Sequence, residues 1–376
     1  MTAPNVAPAG YAWEPTDEQI AARYGVPLER IARFDLNTSP TPPPLAVRIL
    51  AAGDFGRPIS EYPPSDYRLL VEAAADAYGV ERDELLVGAG ADEILDLLAK
   101  AYLPPGGTAV VPMPTYSMYR ILAEQRRARA IRVPRLGPDE GYRLDPGATR
   151  AAARGADLVW LCSPNNPTGL PEPEGAIADL LAGLQADARA GGRVPPLVVL
   201  DEAYVEFAGG SLVGLRHRHP RLAVVRTLSK AYALAGIRVG FAIAARETIA
   251  PMEPYRPPGS VALTSVAIAT EALRDRPTML ANVALLAAER ERLAAGLRAA
   301  GWAVGPSVTN FLLVDLGSAT RAGAVADGLC RAGLVPRTFP GDHPLAGHIR
   351  LTVRAPVEND RLLATVRSLV ASEVLP

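Results

Sequence analysis

Lysine is nearly missing from this chain. Lys100 and Lys230 are the only two among 376 residues, while arginine supplies 37. Codon preference accounts for a general bias toward arginine, but arginine cannot stand in where an amine must lose its proton and attack a carbonyl. Cysteine is as scarce: Cys162 and Cys330 have neither metal-ligand spacing nor a disulfide framework. No charge of either sign is in surplus, with 39 basic residues against 40 acidic and a net charge of -1. That balance removes the electrostatic case for nucleic acid or an anionic membrane as partner. Apolar runs are strand-length and broken by Arg, Asp or Pro, so none is expected to span a bilayer. Residues 1–10 carry neither the basic nor the apolar region of a secretory signal, which makes a cytoplasmic enzyme the expectation. Hydrophobic residues, at 49%, are ample for a large core, and the length suits two domains.

Residues 1–45 read as an arm, with a short amphipathic stretch over Tyr11–Gly25 and an extended, proline-rich run, FDLNTSPTPPP, from Phe34. Helix and strand patterns then alternate. Tyr67–Gly79 has helical spacing, ELLVG is a short strand, and DEILDLLAKAY is a helix whose end holds Lys100, where a basic residue suits the macrodipole. Strands are predicted at Thr108–Val111, Leu158–Cys162, Leu197–Leu200, Leu222–Arg226 and Val239–Ala244. They are apolar on both parities, as in a mostly parallel sheet covered on both faces. Beyond Thr278 come a long amphipathic helix, strands at Asn310–Val314, Leu334–Arg337 and His348–Val353, and a terminal helix after Pro356. The expected architecture is α/β: a large domain over 46–258 and a smaller α+β domain over 259–376, to which the 1–45 arm adds.

Open parallel sheets bind ligands beyond the carboxyl ends of their strands, and unusual polar residues collect at those ends. Asp201-Glu202-Ala203-Tyr204 follows one strand, and Ser163-Pro164-Asn165-Asn166-Pro167-Thr168-Gly169 another. Thr227-Leu228-Ser229-Lys230 follows a third, with Arg238 eight residues beyond the lysine, and Gly88-Ala89-Gly90-Ala91-Asp92 opens a helix. Singly, GAGAD reads as a helix-entry turn, SPNNPTG as a turn and DEAY as a helix cap. A dinucleotide motif is a poor fit to GAGAD, because its third glycine position is Glu93. Together the residues match what pyridoxal phosphate (PLP) needs. Its phosphate suits a helix N-terminus reinforced by hydroxyls and an arginine fork. Its ring nitrogen wants a carboxylate to keep it protonated. Its ring oxygen wants donors, which Asn166 and Tyr204 can supply, and Tyr116 can lie against the ring. Its aldehyde needs the lysine.

The stretches EYPPSDYRLL, GAGADEILDLL, PMPTYSMYR, SPNNPTG, LDEAYVEF, TLSKAYALAGIRVGF, TNFLLV and HIRLTVRAPVEND resemble the fold-type-I PLP aminotransferases, and within them the histidinol-phosphate aminotransferases. The likeness runs from about Phe34 to Val370. It implies the PLP-transferase fold type I, with a mostly parallel seven-stranded sheet in the large domain. It further implies that Lys230 carries the cofactor and shuttles a proton, that Asp201 pairs with the ring nitrogen, and that Asn166 and Tyr204 bond the ring oxygen. Tyr116 stacks on the ring, and the backbone at Gly90, Ala91 and Asp92 holds the phosphate with Thr227, Ser229 and Arg238. Tyr62 matches a tyrosine that reaches the phosphate of the neighbouring subunit's cofactor, which implies a homodimer with shared sites. Arg350 and Arg337 match substrate anion-binding arginines, and Tyr11 and Asn37 belong to the substrate side of the arm.

Three positions depart from that family pattern: Thr38-Ser39 in the arm, Gly259-Ser260, and Arg354 after the Arg350 strand. All three are expected where the substrate side chain sits, not the cofactor. The leading reading is transamination between L-histidinol phosphate and 2-oxoglutarate. Alternatives are an aromatic or natural-product amino acid as substrate, or decarboxylation of a phosphorylated amino acid. A PLP-sensing regulator would carry a DNA-binding domain ahead of Phe34, where the expected leader is short and not basic.

Overall fold

The computed structural model describes residues 10–372 apart from Ala12. Its strands, in chain order, are β1 Ala32–Phe34, β2 Leu85–Gly88, β3 Thr108–Met113, β4 Arg129–Pro134, β5 Leu158–Cys162, β6 Leu197–Asp201, β7 Leu222–Thr227, β8 Gly240–Ala244, β9 Ala303–Val304, β10 Phe311–Asp315, β11 Leu334–Thr338 and β12 His348–Thr352. Strands β2 to β8 form one seven-stranded sheet in the order β2-β8-β7-β6-β5-β3-β4. Every neighbouring pair is parallel except those made by β8, which runs against both β7 and β2.

Strands β5 to β8 are buried along their whole length, and their alternation divides two cores. Val159, Leu161, Val198 and Leu200 belong to one face, while Leu158, Trp160, Leu197 and Val199 belong to the other. The edge strand β4 has no such signature. Its Arg129 and Arg132 are exposed and Val133 is its one buried residue, so it pairs with β3 without an apolar run to announce it. Lys100 lies in the last turn of the helix Ala91–Tyr102 and pairs with Asp96 at 2.6 Å.

A second sheet has the order β1-β11-β12-β10-β9. The arm enters it through β1, parallel to β11, with Ala32 beside Leu334 and Phe34 fully buried. The expected division at 258/259 does not match the packing. Val261, Val266, Ala269, Leu273 and Met279 join the core beneath the large sheet, and the helix Leu263–Arg274 lies on helices Arg68–Tyr78 and Pro44–Ala52. That helix has an apolar face that only the large unit can cover, so the large core extends past 258. The small-sheet core begins with the helix Arg276–Ala299, through Leu293, Ala294 and Leu297.

The start of the helix Ala91–Tyr102 rests against β8 with no room between. A Cβ on Gly240 would lie 2.5 Å from the carbonyl carbon of Gly90 and 2.7 Å from the nitrogen of Ala91. Both contacts are backbone, so neither can rotate away. Gly240→Ala is expected to destabilise the fold by about 1–3 kcal/mol through overpacking. Urea unfolding checks this, and an unchanged midpoint would show that the approach is not as tight as described.

Candidate active site

The carboxyl ends of β3, β5, β6 and β7 open into a cavity of about 680 Å³, closed from the other side by β11, β12 and the arm. Lys230, Asp201, Tyr204, Asn166, Tyr116, Ala91, Asp92, Thr227, Ser229, Arg238, Arg350, Arg337, Tyr11 and Asn37 all line it. They come from strand ends, one helix start, the arm and the small sheet, which is why no local pattern shows them as neighbours.

Asp201 ends β6 and is 4% exposed. Its carboxylate accepts only neutral donors: the hydroxyl of Tyr119 at 2.7 Å and the backbone N–H of Ala203 at 3.0 Å. Burial pushes its pKa up to about 6, against the pull of those two bonds. Tyr119 is itself fixed by stacking on Trp160, with centroids 5.3 Å apart and planes 10° apart. Sequence reasoning quoted the stretch containing Tyr119 but missed its role. A tyrosine in a helix following a strand carries no mark that its hydroxyl will reach a carboxylate two strands away.

Across the cavity, Gly90 turns the chain at φ 86° into the helix Ala91–Tyr102, whose first turn has no side-chain cap. Its N–H groups therefore face the cavity uncapped. Thr227 donates to the Ser229 hydroxyl at 2.9 Å, and Arg238, at φ 52°, returns its guanidinium to Asp92 at 3.2 Å. Tyr116 donates to the other Asp92 oxygen at 3.0 Å and meets Tyr119 edge-on.

Lys230 lies between these two ends, its ammonium 5.7 Å from the Tyr204 ring centre. Among the described residues it makes no salt bridge. Burial lowers its pKa to about 8, and Arg350 and Arg238 push the same way while Asp92 and Asp201 oppose them. Part of the amine is therefore neutral near pH 7, which the freely solvated side chain is not. The Tyr204 hydroxyl accepts from the Asn37 amide at 2.9 Å, and Tyr204 packs edge-on against Phe311. Asn37, at φ 52°, is held by Thr352 and Asn310.

On the small-sheet side Arg350 donates to Asn166 Oδ1 at 2.6 Å and to the carbonyl of Asp35, while its Nε has no partner among the described residues. Arg337 pairs with Glu14, which also accepts from Tyr11 at 2.7 Å. Glu14 was not singled out from sequence. A buried hub ties the loops together. Asn165 accepts from Thr115 at 2.8 Å and from Arg135 at 3.2 Å, and Arg135 pairs with Glu172.

Other expected residues lie elsewhere. Tyr62 is 87% exposed and does not line the cavity of its own chain. Of the substituted positions only Thr38 lines it; Ser39 donates to the Lys230 carbonyl at 3.2 Å instead. Ser260 bonds Glu93 at 2.9 Å, outside the cavity, with Gly259 beside Tyr62. Arg354 is likewise outside it, its guanidinium held at 2.8 Å by Glu358 in the first turn of the helix Pro356–Ala371. Of the three substituted stretches, then, only the one holding Thr38 lines this chain's own cavity.

The donor set fits a phosphorylated pyridine aldehyde. A buried carboxylate that lacks a cation faces one end, uncapped N–H groups, hydroxyls and a guanidinium face the other, and an amine with a lowered pKa lies between. The class of protein is plain from the comparisons: the chain belongs to the aminotransferase class I and II family, whose model matches residues 34–369. It is thus a PLP-dependent aminotransferase. A histidinol-phosphate aminotransferase from Roseiflexus castenholzii is 37% identical over 362 residues, covering 94% of this chain and 93% of that protein. Another, from Stenotrophomonas maltophilia, is 39% identical and covers 84% and 85%. The crystal structure of histidinol-phosphate aminotransferase from Sinorhizobium meliloti, in complex with pyridoxal-5'-phosphate, has a TM-score of 0.85 at 27% identity over 96% of both chains.

Tyr119→Phe removes a donor to Asp201 and leaves its neighbours in place. In the cofactor-free protein the Asp201 carboxylate should then protonate at a higher pH than in the native chain, a shift followed by carboxyl infrared titration. An unchanged titration would show that Tyr119 only packs.

Proposed function

We propose that this chain transfers the amino group of L-histidinol phosphate to 2-oxoglutarate, a step of histidine biosynthesis, at sites shared across a homodimer. The observation that carries the substrate reading is the pair of guanidiniums at the small-sheet end of the cavity. Arg337 and Arg350 face each other across β11 and β12 and both line the cavity, an arrangement suited to a phosphate. The relatives named histidinol-phosphate aminotransferase support the same reading.

PLP, when bound, supplies an aldehyde that takes the amino group and a ring that withdraws electrons from the substrate's α-carbon. Lys230 holds it, and the lysine's neutral amine moves a proton from that α-carbon. Asp201 holds the proton on the ring nitrogen, which gives the buried carboxylate the cation it lacks. Asn166 has its oxygen engaged by Arg350, so its amide N–H groups remain for the ring oxygen beside the Tyr204 hydroxyl. Tyr116 covers the ring. The N–H groups of Ala91 and Asp92 take the phosphate together with Thr227, Ser229 and Arg238, and Gly90 is the turn that lets them approach. Tyr62 of the partner subunit completes that site, which accounts for its exposure here. Tyr11 and Asn37 border the substrate. No helix among the described residues is long and apolar enough to cross a membrane; the place of action in this reading is the cytoplasm.

The near-visible spectrum of the holoenzyme tests the reading. Histidinol phosphate alone should bleach the cofactor band, and 2-oxoglutarate should restore it. A band that ignores histidinol phosphate but bleaches with aromatic amino acids would keep the class and overturn the substrate. Lys230→Ala should lower turnover by roughly 10³-fold or more with the melting temperature little changed. Steady-state transamination retained in that variant would remove Lys230 from its role.

A further inference from the structure

Arg337 and Arg350 are direct partners in the antiparallel β11–β12 ladder, so both side chains leave the sheet on one face. Like charges directly opposed in a ladder repel, and the protein answers each in a different way. Among the described residues Arg350 has only neutral hydrogen-bond partners, Asn166 and the Asp35 carbonyl. Arg337 meets a carboxylate from the arm, Glu14. Glu14 is mostly shielded; burial pushes its carboxyl up, but the Tyr11 hydroxyl and Arg337 outweigh that and hold it below the usual range. An ionised side chain of the protein itself therefore occupies one of the two substrate guanidiniums.

An aminotransferase passes two substrates through one site. If the proposed function holds, one carries a phosphate dianion and the other a carboxylate monoanion toward the same arginines. With Glu14 in place, Arg337, Arg350 and Glu14 sum to one positive charge, which matches a carboxylate. With Glu14 withdrawn, the two arginines match a phosphate monoester, which carries about -1.5 to -2 charges at pH 7 and three acceptor oxygens. Two bare guanidiniums would favour the phosphate so strongly that the second substrate would compete poorly.

We infer that Glu14 is a specificity-determining residue, an exchangeable counter-ion that a phosphate dianion displaces from Arg337 and a carboxylate monoanion leaves in place. The arm is built for a short excursion. Thr16 caps the helix Asp17–Tyr24, and Arg33 holds the Pro15 carbonyl at 3.1 Å and Asp17 at 2.9 Å. The anchored chain thus ends one residue after Glu14. Trp13 sits just before it, edge-on to Tyr11 at 5.5 Å and 87% exposed, while Trp160 and Trp302 are buried.

The test is binding of methyl phosphate and of acetate to the holoenzyme by calorimetry, in the native protein and in Glu14→Gln. A ligand that must displace Glu14 regains that cost in the variant, and one that leaves it in place does not. Methyl phosphate should therefore tighten on the order of tenfold, and acetate by clearly less. Equal tightening of both, or weakening of both, would overturn the inference. Tryptophan emission of the native holoenzyme gives a second reading. Methyl phosphate should change it through Trp13 and acetate should not; a change with both ligands, or with neither, sinks the idea. Neither measurement uses histidinol phosphate, so a failure of the proposed donor would show in the cofactor spectrum and leave this contrast standing.

Discussion

The site is organised around a carboxylate buried without a cation. Asp201 sits at the end of a strand covered on both faces, with one phenol and one backbone N–H as donors. Such a group is costly to keep ionised, and its pKa near 6 records that cost. Among the described residues no ion pair meets it, and in the function proposed above a protonated ring nitrogen is the positive group that does. Everything else about the cavity follows from where the ring must then lie. Lys230 stands to one side with its amine partly neutral, and the uncapped helix start stands at the other end. The Trp160–Tyr119 stack is the mechanical link, because it turns β5 and the helix after β3 into a support for a single oxygen of Asp201.

The sheet and the cofactor half of the site were legible because their signals are local. Strands apolar on both parities announce a doubly covered sheet, and polar tetrads such as Asp201 to Tyr204 fall at fixed offsets from strand ends. The single antiparallel strand β8 was not, since direction leaves no trace in composition. Edge strand β4 hid because its outward residues are arginines, and β1 because it is three residues long with Arg33 at its centre. The boundary at 258/259 failed for a related reason: a helix takes its domain from what its apolar face meets, and Val266 or Leu273 looks the same on either side.

On the substrate side the resemblance pointed to Arg337, Arg350, Tyr11 and Asn37, all of which line the cavity. Arg337 and Arg350 could be named from position, but their opposition across β11 and β12 depends on register, which two strand patterns separated by a loop do not disclose. Tyr119 and Glu14 act through partners 82 and 323 residues away. Arg354 erred the other way: its sequence position next to the Arg350 strand pointed to the substrate, while Glu358, in the first turn of the helix Pro356–Ala371, claimed the charge.

That contrast bears on how an anion site can be read at all. A guanidinium is always charged, so its availability is decided by its neighbours and never by its own titration. Arg135 and Arg354 are neutralised by Glu172 and Glu358 on elements of the same unit, and are structural. Among the described residues Arg350 makes no ion pair and donates only to Asn166 and the Asp35 carbonyl. Arg337 falls between the two, paired with a carboxylate whose segment is tied down only from Pro15 onward. The strength of a partner's tether, more than the presence of a partner, separates an arginine that holds the fold from one that can exchange its counter-ion for a substrate.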